Sequence, residues 1–97
     1  MAQPEQLDLD EIQTALASLT GWSLDTGKLY REFRFEDFSE ALAFIVRVGL
    51  VAESMNHHPE WFNVWNRVRV HLTTHDAEGI TELDIQLARE MNRIAGG

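Results

Sequence analysis

Phe62-Asn63-Val64-Trp65-Asn66-Arg67-Val68-Arg69-Val70-His71-Leu72 decides the fold class. Its even positions read Phe, Val, Asn, Val, Val, Leu, and its odd ones Asn, Trp, Arg, Arg, His. Side chains alternate sides along a strand, so this pattern is that of a half-buried antiparallel sheet. The stretch fits one long strand or two short ones turning at Asn66-Arg67. Thr73-Thr74-His75 extends the strand end, and Asp76 to Gly79 is a turn.

Helical signals lie on both sides. Upstream, Ala41, Leu42, Ile45, Val48, Gly49, Ala52 and Met55 recur at three- and four-residue steps, the stripe of an amphipathic helix. Asp37 and Glu40 have capping-box spacing at its start. Gly49 lowers helix propensity, and a close approach by another backbone would explain it. Pro59 forces the helix to stop ahead of it, because the residue before proline avoids the α region. Glu53 therefore falls in the last turn, and His57-His58 in the exit. Downstream, Thr81 and Asp84 form a second box, with Ile80 and Ile85 as its hydrophobic staple. Leu83, Leu87, Met91 and Ile94 then supply a buried stripe, ended by Gly96-Gly97.

The first third of the chain reads as a helix and a hairpin. Asp8 and Glu11 box a helix carrying Leu9, Ile12, Leu16 and Leu19, which Thr20-Gly21 ends. Trp22 to Asp25 is extended, Thr26-Gly27 is a two-residue turn, and Lys28 to Phe35 is the return strand. Leu29, Arg31, Phe33 and Phe35 share one side of it, and Arg31 is out of place on an apolar face. The expectation is an α+β fold, helices packed on one face of an antiparallel sheet. Residues 1–97 form a single domain with residues 1–7 a loose tail, and the far sheet face is wet or covered by a partner.

Bulk composition narrows the function classes. The 97 residues carry a net charge of −8 and no run of Lys or Arg, which argues against nucleic acid and anionic lipid as partners. No cysteine is present, so disulfides, thiolate nucleophiles and Cys-bound zinc are excluded. The start is polar, with no signal pattern, and the apolar run from Ala41 to Ala52 contains Arg47 and is too short to span a bilayer. A cytoplasmic location is expected. A chain this short buries a modest share of its surface, so pairing with a second copy is expected as well.

The histidines carry the chemistry. His57 and His58 precede Pro59, and Thr74-His75-Asp76 begins sixteen residues after His58. Imidazoles exchange protons near neutrality, so three converging at element ends point to proton transfer. Metal binding fits less well. His71 and His75 would chelate from a helix, but on a strand four residues span about 13 Å, and neighbouring His57 and His58 would point apart if extended. His71 reads as an exposed strand residue. Trp61 and Trp65 flank the site, as core packing or as a wall for a flat heterocycle. Asp84 fits a capping role for Thr81 better than a direct chemical one, and Glu53 is either a solvated helix residue or an imidazole's orienter.

The spaced set Glu53-x3-His57-His58-Pro59-x5-Trp65-x9-His75-x8-Asp84 resembles the signature of the pterin-4a-carbinolamine dehydratases, the dimerisation-cofactor family. Gly21-Trp22, Arg31-x-Phe33-x-Phe35, Phe44, Thr74-His75 and Gly79-Ile80-Thr81 extend the likeness over roughly residues 8 to 95. Met55 and Asn56 stand where some members carry Lys and Asp. The resemblance implies a four-stranded antiparallel sheet with three helices on one face, in the order α-β-β-α-β-β-α, and a homodimer or homotetramer. It implies loss of water from a 4a-hydroxytetrahydropterin to give the quinonoid dihydropterin, in tetrahydropterin recycling, with neither metal nor organic cofactor. It makes His57, His58 and His75 the catalytic imidazoles, with His57 and His75 an acid/base pair and His58 orienting the pterin. Glu53, Thr74 and Asp84 become supporting residues, and Asn56, Trp61 and Trp65 stand beside them as candidate substrate-binding or supporting residues. Some relatives act instead as dimerisation or assembly partners of other proteins, which is the alternative role.

Overall fold

The computed structural model describes residues 4–96. Its elements are α1 (Leu9–Leu16), β1 (Ser23–Asp25), β2 (Lys28–Arg34), α2 (Phe38–Met55), β3 (Glu60–Val64), β4 (Arg67–Leu72) and α3 (Glu82–Ala95). The strands form one antiparallel sheet in the order β1-β2-β4-β3. The expected α-β-β-α-β-β-α order is the one observed. Among the described residues no helix is long and apolar enough to cross a membrane.

Local chemistry accounts for the element ends. Asp8 caps α1 with Glu11 in a reciprocal box, and Thr81 caps α3 with Asp84 in another. At α2 half of the expected box forms: the Asp37 carboxylate accepts from Glu40 N at 2.9 Å. Thr26 and Gly27 both have positive φ, 53° and 79°, as a two-residue hairpin turn between right-twisted strands requires.

Four expectations are corrected. α1 stops at Leu16 rather than at Thr20-Gly21. Ser18 N bonds Ala15 O and Leu19 N bonds Leu16 O, tightening the chain so that Leu19 turns into the core. The segment before α1 is not all loose: Leu7 N donates to Ile80 O at 2.8 Å, and Leu7 packs on the core, while residues 1–3 lie outside the described residues. On α2, Leu42 is exposed and Phe44 takes a buried place beside Ala41, Val48 and Ala52.

The fourth correction concerns the stretch that fixed the fold class. It forms two strands, and they turn at Trp65-Asn66, with Val64 paired to Arg67. A two-residue turn pairs even positions of β3 with odd positions of β4. Phe62 and Val64 therefore share the outer face with Arg69 and Arg67 and are exposed, while Trp61 and Asn63 oppose Val70 and Val68. The even-numbered alternation is continuous in sequence but changes sides of the sheet at the turn.

Leu29 and Phe33 of β2 and Val68, Val70 and Leu72 of β4 form the sheet's buried face, covered by α2 and by Ile85, Leu87, Ala88 and Met91 of α3. Arg31 does lie on this side, and the structure explains how. Its guanidinium sits 4.2 Å from the Phe33 ring centroid, and Nη1 donates to Thr20 O at 2.9 Å and to Asn92 Oδ1. Asn92 Oδ1 also accepts from Trp22 Nε1 at 2.8 Å. The odd arginine is thus the centre of a polar clamp joining the chain after α1, β2 and α3.

Candidate active site

Two chain reversals build the site. The first ends α2. Asn56 adopts the left-handed conformation (φ 51°), which Asn tolerates better than most residues, and its N–H reaches back to Ala52 O and Glu53 O. His57 N also bonds Ala52 O, at 3.0 Å. The turn sends His57 inward, where it is 8% exposed, and leaves His58 outward.

The second reversal follows β4. Thr74 and Gly79 pair through two backbone bonds, and His75–Ala77 make one short 3₁₀ turn between them. His75 therefore does not continue the strand, as its sequence position suggested. It stands at a corner, largely exposed. An open cleft of about 200 Å³ separates the reversals, lined by Asn56, His57 and His58 on one side and Thr73, Thr74, His75 and Asp76 on the other.

Behind the cleft lies a closed polar network. His57 Nε2 is 2.6 Å from Asp84 Oδ1, and Asp84 is fully buried. Asp84 Oδ2 accepts from Thr74 Oγ1 at 2.8 Å and from Thr81 N at 2.9 Å. Thr74 Oγ1 and Thr81 Oγ1 lie 2.7 Å apart, and Thr81 Oγ1 accepts from Leu83 N at 3.2 Å. A carboxylate only accepts, which fixes the direction of every bond. Thr74 donates its single proton to Asp84, so Thr81 donates to Thr74. His57 must donate through Nε2, which turns the lone pair of its neutral ring onto Nδ1. Among the described residues no buried side-chain polar atom lacks a partner.

The other imidazoles repeat the pairing. His58 Nε2 meets Glu53 Oε1 at 2.7 Å, His71 Nε2 meets Asp25 Oδ2 at 2.8 Å, and His75 Nε2 meets Glu60 Oε2 at 3.1 Å. Each histidine has its own carboxylate, and among the described residues no group of three ligand side chains is set to hold a metal ion. Glu60 also takes Lys28 Nζ at 2.7 Å. The Lys28 hydrogen bond holds the Glu60 carboxyl below the usual carboxylate range, against the opposite pull of burial, and the Lys28 charge and His75 add to the lowering.

The sequence-predicted residues divide clearly. His57, His58, Asn56, Thr74 and His75 line one cleft. Glu53 and Asp84 each hold one of its imidazoles, and Asp84 combines that contact with the capping role expected of it. Trp61 is half-buried and packs against the core. Trp65 lies at the far end of the β3–β4 hairpin, 63% exposed at φ 47°; five strand steps from Glu60 correspond to about 16 Å. Glu60 and Lys28 were not singled out from sequence. They are 32 residues apart, and only strand pairing brings them together.

Known proteins place the chain in a family. The family model for pterin 4 alpha carbinolamine dehydratase matches residues 5–94. A Solibacter usitatus protein assigned as a pterin-4-alpha-carbinolamine dehydratase is 51% identical over 92 residues, covering 95% of this chain and 97% of its own. A Sinorhizobium medicae protein with the same assignment is 50% identical over 97 residues, covering 98% and 92%. The crystal structure of a transcriptional coactivator/pterin dehydratase from Brucella melitensis superposes with a TM-score of 0.92 at 49% identity, covering 95% of this chain and all of that one. With a matched model spanning nearly the whole sequence, relatives at half identity and the same fold, this chain belongs to the pterin 4 alpha carbinolamine dehydratase family.

Proposed function

We propose that this protein is a 4a-hydroxytetrahydropterin dehydratase, a hydro-lyase that forms the quinonoid dihydropterin during tetrahydropterin recycling. The observation that carries this reading is the meeting of His57, His58 and His75 around one cleft, each backed by a carboxylate.

The substrate bears a hydroxyl on C4a and a proton on the neighbouring N5. Elimination breaks the C4a–O bond, removes the N5 proton and leaves a C4a=N5 double bond. It needs one group to protonate the departing hydroxyl, one to accept the N5 proton, and no electron carrier. His57 and His75 stand on opposite walls of the cleft and supply this pair. Each such group typically contributes about 10²- to 10⁴-fold. Asp84 orients His57 and compensates the charge that a proton brings to it, as the buried carboxylate of a catalytic triad does. His58, held by Glu53, binds and orients the pterin, with Asn56 and Thr74 beside it.

The chain works as a homo-oligomer in the cytoplasm. Leu42, Val46 and Leu50 line the exposed side of α2, and no atom outside the helix comes within 4 Å of the place a Cβ on Gly49 would occupy. A second helix laid on this face explains both the apolar surface and the glycine. A purely non-catalytic binding role leaves unexplained why three imidazoles, each held by a carboxylate, meet at one cleft.

Rapid mixing with a synthetic 4a-hydroxytetrahydropterin, followed by the ultraviolet change on dehydration, tests the function. The expected result is a rate well above the spontaneous one, most of it lost in His75→Ala. No acceleration by the intact protein overturns it.

A further inference from the structure

Glu60 is the fourth residue of His57-His58-Pro59-Glu60, and its side chain leaves the cleft that the histidines line. It sits on the outer face of β3, opposite His71. From there one carboxylate oxygen takes Lys28 Nζ at 2.7 Å and the other lies 3.1 Å from His75 Nε2. Lys28 belongs to β2, two strands away across the end of β4. The three side chains bridge β2, β3 and the turn after β4. Lys28 is 33% exposed, Glu60 40% and His75 76%, a surface setting in which ion pairs add little to stability.

We propose that Glu60 is a positioning residue for the dehydration: anchored by Lys28, it accepts a hydrogen bond from His75 Nε2 and so presents Nδ1 of His75 to the substrate. This rests on the dehydratase reading above. The 3.1 Å approach is an ion-pair contact, and because a carboxylate has only lone pairs to offer, closing it into a hydrogen bond requires that the His75 nitrogen facing it carry a hydrogen, whether the ring is neutral or protonated. The proton that His75 gives or takes then resides on Nδ1 alone. Glu60 lies outside the cleft, so the bonded nitrogen faces away from the substrate. His57 is arranged alike, with Nε2 on Asp84 and Nδ1 remaining. Both members of the acid/base pair then react through the same ring atom, each fixed from behind by its own carboxylate.

Lys28 makes the arrangement directional. In Glu60→Gln the ammonium retains the amide oxygen, because it can only donate. The amide NH₂ is then left against His75 Nε2, and the neutral ring must reverse its tautomer to accept from it.

Long-range proton–nitrogen correlation spectra of ¹⁵N-histidine-labelled protein read the tautomer, and dehydration kinetics on the same samples read the consequence. The expected result is Nε2–H for neutral His75 in the unmodified protein and Nδ1–H in Glu60→Gln. The kcat of the variant falls about 10- to 100-fold, part of what one acid/base group contributes, while KM stays within about threefold. Lys28→Met, which removes the anchor and leaves the carboxylate, keeps Nε2–H and loses less rate. An unchanged His75 tautomer in Glu60→Gln overturns the proposal, as does an unchanged kcat beside a reversed tautomer. If the unmodified protein shows no dehydration, the dehydratase reading falls, and the tautomer spectra alone decide whether Glu60 positions His75.

Discussion

His57 Nε2 lies 2.6 Å from Asp84 Oδ1, the shortest and most deeply buried of the four imidazole–carboxylate contacts among the described residues. The same Asp84 carboxylate caps α3 through its other oxygen. One side chain therefore starts a helix and aims an imidazole, so helix register and site geometry cannot vary independently. The Thr74 hydroxyl ties the turn after β4 to the same carboxylate.

Asp84→Asn should separate these duties from one another. An amide keeps one acceptor and brings two donors into a site that already supplies His57 Nε2–H, Thr74 O–H and Thr81 N–H. A donor is left facing a donor, at a cost of about 1–3 kcal/mol when buried. The urea midpoint should fall by the corresponding amount with the slope unchanged. If His57 acts as proposed, dehydration should fall further than folding does, by about 10²-fold or more, because the ring loses the acceptor that keeps its lone pair on Nδ1. A variant that remains folded and keeps kcat within a few-fold would show that Asp84 is a cap only.

Two glycines separate backbone strain from side-chain crowding. Gly21 and Gly27 both have positive φ, 85° and 79°. A Cβ at Gly21 would lie 2.6 Å from Arg31 Nε, whereas nothing lies within 4 Å of one at Gly27. Gly27→Ala should therefore cost the left-handed penalty alone, about 1–2 kcal/mol. Gly21→Ala should cost more, because Arg31 must also move off Thr20 and Asn92. Thermal unfolding of the two variants measures the difference, and equal melting temperatures would mean that the Arg31 clamp yields freely.

Acid should weaken the fold through three paired glutamates. The hydrogen bonds from Arg34 to Glu32, from Lys28 to Glu60 and from Arg93 to Glu90 each lower the carboxyl from its ordinary 4.5. The unfolded chain then binds more protons than the folded one just below that value. Stability rises with pH there, is fully present above about 4.5 and is lost as pH falls through the lowered values. Urea midpoints measured from pH 6 to pH 3 should decline below 4.5, less steeply in Glu60→Gln, and salt should flatten the decline because these pairs are exposed. A midpoint that does not move between pH 6 and pH 3 would count against these pairs.

How much of this could be read beforehand follows from which forces are local. The caps at Asp8 and Thr81, the Thr26-Gly27 turn and the break before Pro59 depend on a few adjacent residues, and all were legible. The side of the sheet taken by Phe62 and Val64 was not, because a two-residue turn inverts an alternation that looks unbroken in sequence. The three catalytic candidates were visible as histidines at element ends. The carboxylate behind His75 was hidden, since Glu60 reaches it by pairing in space, whereas Asp84 stood out through its capping spacing. Arg31 looked misplaced until Asn92 and Thr20, 61 and 11 residues away, were seen to receive it.

The outer side of α2 offers the sharpest test of assembly. Leu50 is 69% exposed, Val46 54% and Leu42 45%, at four-residue steps along one face. A helix within a self-sufficient monomer has no need of such a stripe, and a charge placed in it meets only water unless another copy is there. Leu50→Glu should leave the circular dichroism and the monomer's unfolding intact, since the side chain touches no core. It should lower the association state seen by analytical ultracentrifugation, because a glutamate buried between two helices would lack a partner. If the sedimentation coefficient of Leu50→Glu equals that of the unmodified protein at all concentrations, this face is not where the copies meet. The edge strand β3, with Phe62 and Val64 exposed, would then be the next surface to charge.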